Sequence, residues 1–495
     1  MAIEKVLGIE TEYGIVGGPD HDPITASSLV VNAFAQPGMS HVNWDFEDEM
    51  PSHDARGFPA FTSVAPLIET HLANTVLPNG ARFYVDHAHP EYSSPEVRTP
   101  LEGVRYDVAG EEVLRRASRA ANELGQYPQP IVVYKNNSDG KGNSYGTHEN
   151  YLVSRSVEFT DIVRAMVPHL ISRQIICGAG KVGAETEAGF ALAPSYQIAQ
   201  RSEFFEEIVG LETTLKRPIV NTRDEPHGDP ERFRRLHVII GDANMSQVAT
   251  FVKLGSTSLL LAALEDFGTS VFPLPPRQPV RAVRLFGSDV SLRATVDDED
   301  GHSLSAWDYQ DALWRLASRY VGETGGAAVA GESEVASILS TWRELLDGVR
   351  DDRDLVADRI DWVAKLRLIE GYQDRHGLRS DDMRLRAIDL QYHDVRPEKS
   401  LAARCGLREL IAPPDVQRSL AEPPRSTRAY FRGRCIAQYP ESIAAANWDS
   451  VVFDLGADPL QRVPMMDPLR GTAELTEELL DRCTTARQLL DELGS

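Results

Sequence analysis

Arg82, Tyr84 and Asp86 stand two residues apart within residues 79–96, NGARFYVDHAHPEYSSPE. Side chains two apart share one face of a strand. A strand here therefore sets a guanidinium, a phenol and a carboxylate in a row, while Phe83 and Val85 enter a core. His87, His89, Glu91 and Glu96 follow, punctuated by Pro90 and Pro95, and read as a loop carrying oxygen and nitrogen ligands. GIETEYG supplies a second set. Within one strand over residues 6–16, Glu10 and Glu12 share a face, with Ile9 and Thr11 opposite. Adjacent carboxylates repel unless an arginine or a cation lies between them, and hard divalent cations favour such oxygen donors. A solvated edge strand satisfies each pattern taken alone, because a single short motif specifies little.

A third dense region spans residues 217–247. In RRLHVIIGDAN, Arg235 and His237 fall on one face, and Arg223 and Asp224 sit in a turn before Pro226. Arg232, Arg234 and Arg235 concentrate positive charge in an otherwise acidic chain. Guanidinium forks suit a nucleotide or an acidic peptide, and surface pairing with nearby Asp and Glu explains the arginines equally well. Between these regions SDGKGNSYGTHENYLV holds Gly140, Gly142 and Gly146, which let backbone approach a ligand, and ends in His148, Glu149 and Asn150. Its spacing matches neither the Walker loop nor the dinucleotide fingerprint.

The elements that must position these residues follow in chain order. Residues 31–77, including HVNWDFEDEMPSHDARGF, mix aromatics, acids, Pro and Gly without a period and read as a long functional loop, a mobile insertion over about 40–75. Helical spacing predicts a helix over residues 107–124, and IVVYKNN predicts another strand. Residues 255–410 are mainly helical, with an apolar stripe of Val335, Ile338, Leu339, Trp342, Leu345 and Leu346. The acidic piece around 297–301 and GETGGAAVAGE read as connectors. Pro413, Pro414, Pro423 and Pro424 mark a boundary. Beyond it come a strand-like FRGRCIAQYP and a final helix striped by Leu475, Leu479, Cys483, Ala486, Leu490 and Leu493.

The totals bound the class. A chain of 495 residues exceeds one compact core and calls for two domains or one elaborated domain. A net charge of −23 excludes a general nucleic-acid binder, which needs excess Lys and Arg. Four dispersed cysteines without a Cys-x-x-Cys pair exclude a zinc or disulfide framework and read as reduced thiols. The first residues lack the apolar core of a signal peptide and no apolar run approaches membrane-spanning length, so the expectation is a cytoplasmic protein without a membrane partner.

Taken together, GIETEYG, NGARFYVDHAHPEYSSPE, KNNSDGKGNSYGTHENYL, NTRDEPHGDPERFRRLHVIIGDAN, LQYHDVRPEK and NWDS resemble the Pup ligase/deamidase family, Pup being the small prokaryotic ubiquitin-like protein. Six motifs in order over nearly the whole chain are far more specific than any one of them. The insertion WDFEDEMPSHDARGF and the short spacing in YVDHAHPEYSSPE look like the deamidase branch rather than the ligase branch. The resemblance implies an α+β fold. A glutamine-synthetase-like domain, an antiparallel sheet cradle flanked by helices, would cover residues 1–424, with a small carboxy-terminal domain over 425–495. It implies ATP and Mg²⁺ as cofactors, with Glu10 and Glu91 on the metal, Tyr84 beside it, and Arg82, Ser94 and Trp448 on the nucleotide. Glu12, His148 and His237 fall in matching motifs as further metal-site residues, and Arg223 and Arg235 as further nucleotide-site residues. Asp86 would be the catalytic carboxylate, as nucleophile or as general base. The implied activity is hydrolysis of the carboxamide of Pup's terminal Gln and of the isopeptide bond between Pup and substrate lysines. The implied partners are Pup and pupylated proteins, with the proteasomal ATPase ring as a further candidate and no nucleic acid. The alternatives are ATP-dependent Pup ligation, a glutamate–cysteine-ligase-like small-molecule ligase, and a non-enzymatic Pup adaptor. The insertion is expected to gate the nucleotide, and the arginine-rich segment is one candidate for a Pup groove.

Overall fold

Alternating polar and apolar residues in the dense motifs produce neighbouring strands of one sheet. The computed structural model describes residues 1–17, 22–34, 42–47, 49, 52–57, 73–185, 194–456 and 459–494. Its main sheet has strands β1 (Leu7–Glu12), β2 (Asn74–Val76), β3 (Arg82–Asp86), β4 (His89–Ser93), β5 (Thr147–Ser154) and β6 (Phe233–Val238). They lie in the order β6-β5-β1-β4-β3-β2, every pair antiparallel. Register then does the assembling. Glu10 sits between Ser93 and His148, Glu12 faces Glu91, Glu91 faces Tyr84, Asp86 faces His89, and His237 faces Asn150.

The opposite face is apolar and carries the cores. Phe83, Val85 and Tyr92 pack on helix α1 (Pro100–Leu124), while Leu7, Tyr151, Val153, Leu236 and Val238 join the larger core that includes α2 (Gln247–Phe267). Helix α1 starts seven residues before the expected 107, at a proline in its first turn behind the Thr99 cap, and ends at Gly125 with φ 63°. Its Gly110 lets the Tyr92 ring seat against the helix; a Cβ there would lie 2.4 Å from Tyr92 Cδ1. Helix α2 corrects one expectation. It is long and apolar enough, by length and composition, to cross a membrane, yet 94% of that window is buried inside the protein. Its Lys253 Nζ donates to the Asp242 carbonyl at 2.8 Å, so α2 is a core helix. The helical reading of 255–410 and the connectors hold, and Val335, Ile338, Trp342, Leu345 and Leu346 are buried.

Other readings change. Residues 6–16 form two strands rather than one, because Tyr13 turns inward and Gly14–Val16 pairs with Val132–Tyr134. HPEYS is a strand and not a loop: Pro90 lacks an N–H, but its carbonyl still accepts from Tyr13 N at 3.0 Å. FRGRCIAQYP lies in helix α3 (Ala429–Gln438), since Phe431, Cys435 and Ile436 recur at helical spacing. The final helix is two, Ala473–Arg482 and Ala486–Gly494; the break leaves Leu475 and Leu493 exposed while Leu480, Cys483, Ala486 and Leu489 are buried. Within the expected loop of 31–77, helix Pro23–Ala33 ends, Asn74–Val76 joins the main sheet, and Asn43–Trp44 adds a parallel edge to strand Ile443–Ala446. Much of the insertion, 35–41, 48, 50–51 and 58–72, falls outside the described residues, so the gate reading does too.

Trp44 and Val42 share one apolar cluster with Tyr430, Phe431, Val451 and Phe453. This carboxy-terminal cluster is bolted to the main sheet through Glu96, whose carboxylate accepts from Arg428 Nε at 2.8 Å and from Arg432 Nη2. Glu96 is therefore an ion-pair partner and not a metal ligand. Burial opposes its ionisation, but the Arg432 and Arg428 guanidiniums bring the carboxyl down to about 2.

Two stability predictions follow from this packing. Gly110→Ala should lower stability by about 1–2 kcal/mol net, the overpacking against Tyr92 exceeding the gain in helix propensity, read as a lower urea midpoint. Because the Glu96 carboxyl titrates lower folded than at its ordinary 4.5, its roughly 2–3 kcal/mol of stabilisation is full above that value and lost between about pH 4.5 and 2. Glu96→Gln should flatten the acid limb of the stability profile in that window.

Candidate active site

The polar face of the sheet gathers two ligand sets. Glu10, His148 and His237 present donor atoms within 4.8 Å of one another, and so do Glu12, Asp86 and Glu91. The first set is knitted by Asn150, whose Nδ2 donates to Glu10 Oε1 at 2.6 Å. Asn150 Oδ1 accepts from Arg235 Nη1 at 3.0 Å and lies 2.9 Å from His237 Nδ1. His148 Nδ1 stands 3.5 Å from Glu10 Oε2, and the two imidazoles meet edge to face at 4.9 Å. In the second set Glu12 Oε1 accepts from Gly146 N at 2.7 Å and its Oε2 lies 3.3 Å from His89 Nδ1. His89 stacks on Tyr145 with centroids 4.2 Å apart. Gly146 is required by this approach: a Cβ would lie 2.2 Å from His148 Nε2 and 2.7 Å from Glu12 Oε1.

Electrostatics separates the carboxylates. Burial opposes the charge of Glu10, yet the His148 hydrogen bond and the Arg235 guanidinium hold its carboxyl well below the usual range. Glu12 is likewise buried and brought down to about 2, chiefly by His89. Glu91 goes the other way: burial, then the charges of Asp86, Glu12 and Glu10, push its carboxyl well up. The Tyr84 phenol is pushed up by burial and by Glu91, so it offers a neutral oxygen. His237 is kept neutral by burial and by Arg235, as a metal ligand must be, and among the described residues its buried Nε2 has no hydrogen-bond partner. A divalent cation among these oxygens and imidazoles would supply the positive charge that Glu91 lacks. The carboxylate oxygens of Glu10, Glu12, Asp86 and Glu91 fit a hard divalent cation such as Mg²⁺, with the imidazoles of His148 and His237 beside them.

A cavity opens beside Glu10 and is walled by Gly8, Ser94, Asn150, His227, Arg235, Arg428 and Trp448. It unites three of the residues expected on a nucleotide: Ser94, Arg235 and Trp448. The Nε atoms of Arg235 and Arg223 are buried without a hydrogen-bond partner among the described residues, donors suited to phosphate oxygens. Ser94 is differently employed: its hydroxyl accepts from Ile9 N at 3.0 Å and ties the end of β4 to β1. Arg82 is not on that wall. Its guanidinium lies between the Tyr84 ring, 3.9 Å from the centroid, and Trp44 at 4.1 Å, and Trp44 meets Trp448 at 5.1 Å.

Asp86 stands at the end of β3, about a third exposed, with His87 Nδ1 at 3.0 Å. Glu149 parts from its neighbours in sequence: it faces the opposite side, wholly buried, and takes a two-pronged ion pair from Arg173 at 2.6 and 2.8 Å. The arginine-rich segment divides its side chains between two faces. Arg234 pairs with Asp224 at 2.6 Å and Arg232 with Asp467 at 2.9 Å, leaving Arg235 alone of the three on the polar face. His227 and Arg428 are the site residues that sequence reasoning missed; His89 reads there as a ligand and Gly146 as a point of close backbone approach, while Asn150 is named without a role. The period of two, applied from His148, finds Asn150; no local pattern finds Arg428, which arrives from 192 positions beyond Leu236 in another element.

The Pup-ligase protein family matches residues 5–452. The chain is 47% identical to the depupylase of Acidothermus cellulolyticus over 99% of both chains, and 42% identical to the Pup deamidase/depupylase of Mycolicibacterium smegmatis over 99% of this chain and 100% of that one. Among solved structures, the complex between Pup and its ligase PafA superposes with a TM-score of 0.78 at 29% identity, covering 99% of this chain and 94% of that one. The ligase PafA with ADP gives 0.74 at 31% identity over 82% and 89%.

The uncompensated charge at Glu91 generates one expectation. Mg²⁺ titrated calorimetrically should bind the protein, and Glu91→Gln should weaken that binding by about tenfold or more; equal affinity in the two proteins would show that the cation sits elsewhere.

Proposed function

We propose, for a chain that belongs to the Pup-ligase family, that it is a hydrolase of the deamidase and depupylase kind, acting on the terminal Gln carboxamide of Pup and on the isopeptide bond joining Pup to lysines. The observation that carries the chemistry is the Glu12–Asp86–Glu91 set, one strand register from Glu10, His148 and His237. The names and the extent of the relatives support the hydrolytic direction, since the depupylases match over the full chain at higher identity than the solved ligases.

We assign Asp86 the reacting carboxylate. Amide carbonyls are poor electrophiles, so a site must activate the nucleophile and stabilise the oxyanion. Asp86 is the exposed member of its set, so it meets an acyl carbon entering from solvent while Glu12 and Glu91 remain below it. It serves either by attacking that carbon, giving an acyl–aspartyl anhydride that water opens, or by taking a proton from water. Either way one water is consumed, the C–N bond breaks, and the amine leaves as ammonia or as the lysine side chain. Mg²⁺, when bound, would supply positive charge and a polarising field on the acyl oxygen. Glu10, Glu91, Glu12, His148, His237 and Tyr84 would hold the metal; Arg235, Ser94 and Trp448 would border the nucleotide from the cavity wall, with Arg223 and Arg82 reaching it from outside that wall. ATP acts as a retained cofactor, because amide hydrolysis needs no fuel.

Incubating the protein with Pup ending in Gln and Mg·ATP tests the direction. Conversion of amide to acid without matching ADP release supports hydrolysis; conjugation to lysine with stoichiometric ADP supports ligation. Asp86→Asn should lower turnover by roughly 10²-fold or more while ATP affinity stays within about twofold; near-normal turnover would remove Asp86 from the mechanism. Single turnover in oxygen-18 water separates the routes, with label appearing in Asp86 only if it is the nucleophile.

A further inference from the structure

We propose that Glu96 is a positioning residue that shapes the nucleotide cavity through two arginines of the carboxy-terminal unit. The inference rests on the reading of that cavity as the nucleotide site. Glu96 follows Ser94 by two residues and helps wall the same cavity. Its carboxylate accepts from Arg428 Nε at 2.8 Å, from Arg432 Nη1 at 3.2 Å and from Arg432 Nη2.

Each guanidinium also donates to backbone carbonyls, among them those of two cavity residues, Trp448 and His227. Arg432 Nη1 donates to the Trp448 carbonyl at 2.8 Å, and its guanidinium lies 5.1 Å from the Trp448 ring centroid. Arg432 Nη2 also donates to the Gly80 carbonyl at 2.9 Å, in the turn that leads into Arg82. Arg428 Nη1 donates to the His227 carbonyl at 2.5 Å and the Met465 carbonyl at 2.7 Å. His227 holds φ 47°, a left-handed conformation that a non-glycine residue keeps only where its surroundings impose it. Its imidazole lines the cavity and is kept neutral by burial and by Arg235 and Arg428. One carboxylate thus fixes, at second hand, the backbone of Gly80, His227, Met465 and Trp448. Glu96 belongs to neither metal-ligand set, so its effect should fall on nucleotide affinity rather than on the acyl step.

The experiment measures ATP binding calorimetrically, and steady-state turnover of Pup ending in Gln, for wild type, Glu96→Gln and Arg432→Lys at a temperature where each is folded by circular dichroism. The expected result is a rise of about tenfold or more in Kd and KM for ATP, with kcat at saturating ATP and KM for Pup within about threefold of wild type. Arg432→Lys keeps the charge but loses the fork, and it decides the matter should Glu96→Gln not fold. ATP affinity within about twofold of wild type in a folded variant overturns the inference, as does a fall in kcat with unchanged KM for ATP. Failure of wild type to bind ATP would instead overturn the reading of the cavity.

Discussion

Three carboxylates on one sheet face, Glu10 partly buried and Glu12 and Glu91 fully so, set the terms for the rest of the molecule. Charges removed from water must be met by partners or they neutralise. Glu10 and Glu12 are met by His148 on β5 and His89 on β4, the two neighbours of β1, and by Arg235 on β6 one strand further. Glu91 is not, and its raised carboxyl marks where the face lacks positive charge. The imbalance is local chemistry: a site fully paired within the protein would have no affinity left for a cation.

Holding that imbalance requires a stiff frame. The ligands come from β1, β3, β4, β5 and β6, so their spacing is set by antiparallel register and not by loop conformation. A one-residue slip in any strand would exchange ligands for core residues. The register is pinned from behind, where Phe83 and Tyr92 pack on α1 and Leu7, Tyr151 and Leu236 enter the larger core. The wholly buried Glu149–Arg173 pair sits on that same rear face, between the sheet and the helices. The close backbone approach at Gly146 shows how little slack remains on the front.

Much of this was legible because a period of two is a local property. Arg82, Tyr84 and Asp86, the pair Glu10 and Glu12, and the pair Arg235 and His237 all lie on the faces that alternation assigns them. Order along the sheet was not legible, since pairing of β1 with β5 and β4 depends on hydrogen bonds between segments far apart in the chain. Reading HPEYS as a loop overweighted Pro90, which costs one donor and leaves the strand's other bonds in place. Reading FRGRCIAQYP as a strand passed over the helical spacing of Phe431, Cys435 and Ile436. Charge density in sequence does not say which face each arginine takes: Arg234 and Arg235 point to opposite sides of β6.

The site also explains why one face can serve two leaving groups. In the proposed mechanism both ligand sets would address the acyl side of the bond: carboxylates and imidazoles a cation, arginines phosphate, and Asp86 the carbon itself. Asp86 stands at the margin, partly exposed beyond the buried members of its set. An amine that departs from that margin leaves toward solvent, so its size matters little, whether ammonia or a lysine on a folded protein. The selectivity of such a site resides in the acyl half of the substrate, whose binding must reach from the margin inward, while the nitrogen half is limited only by access.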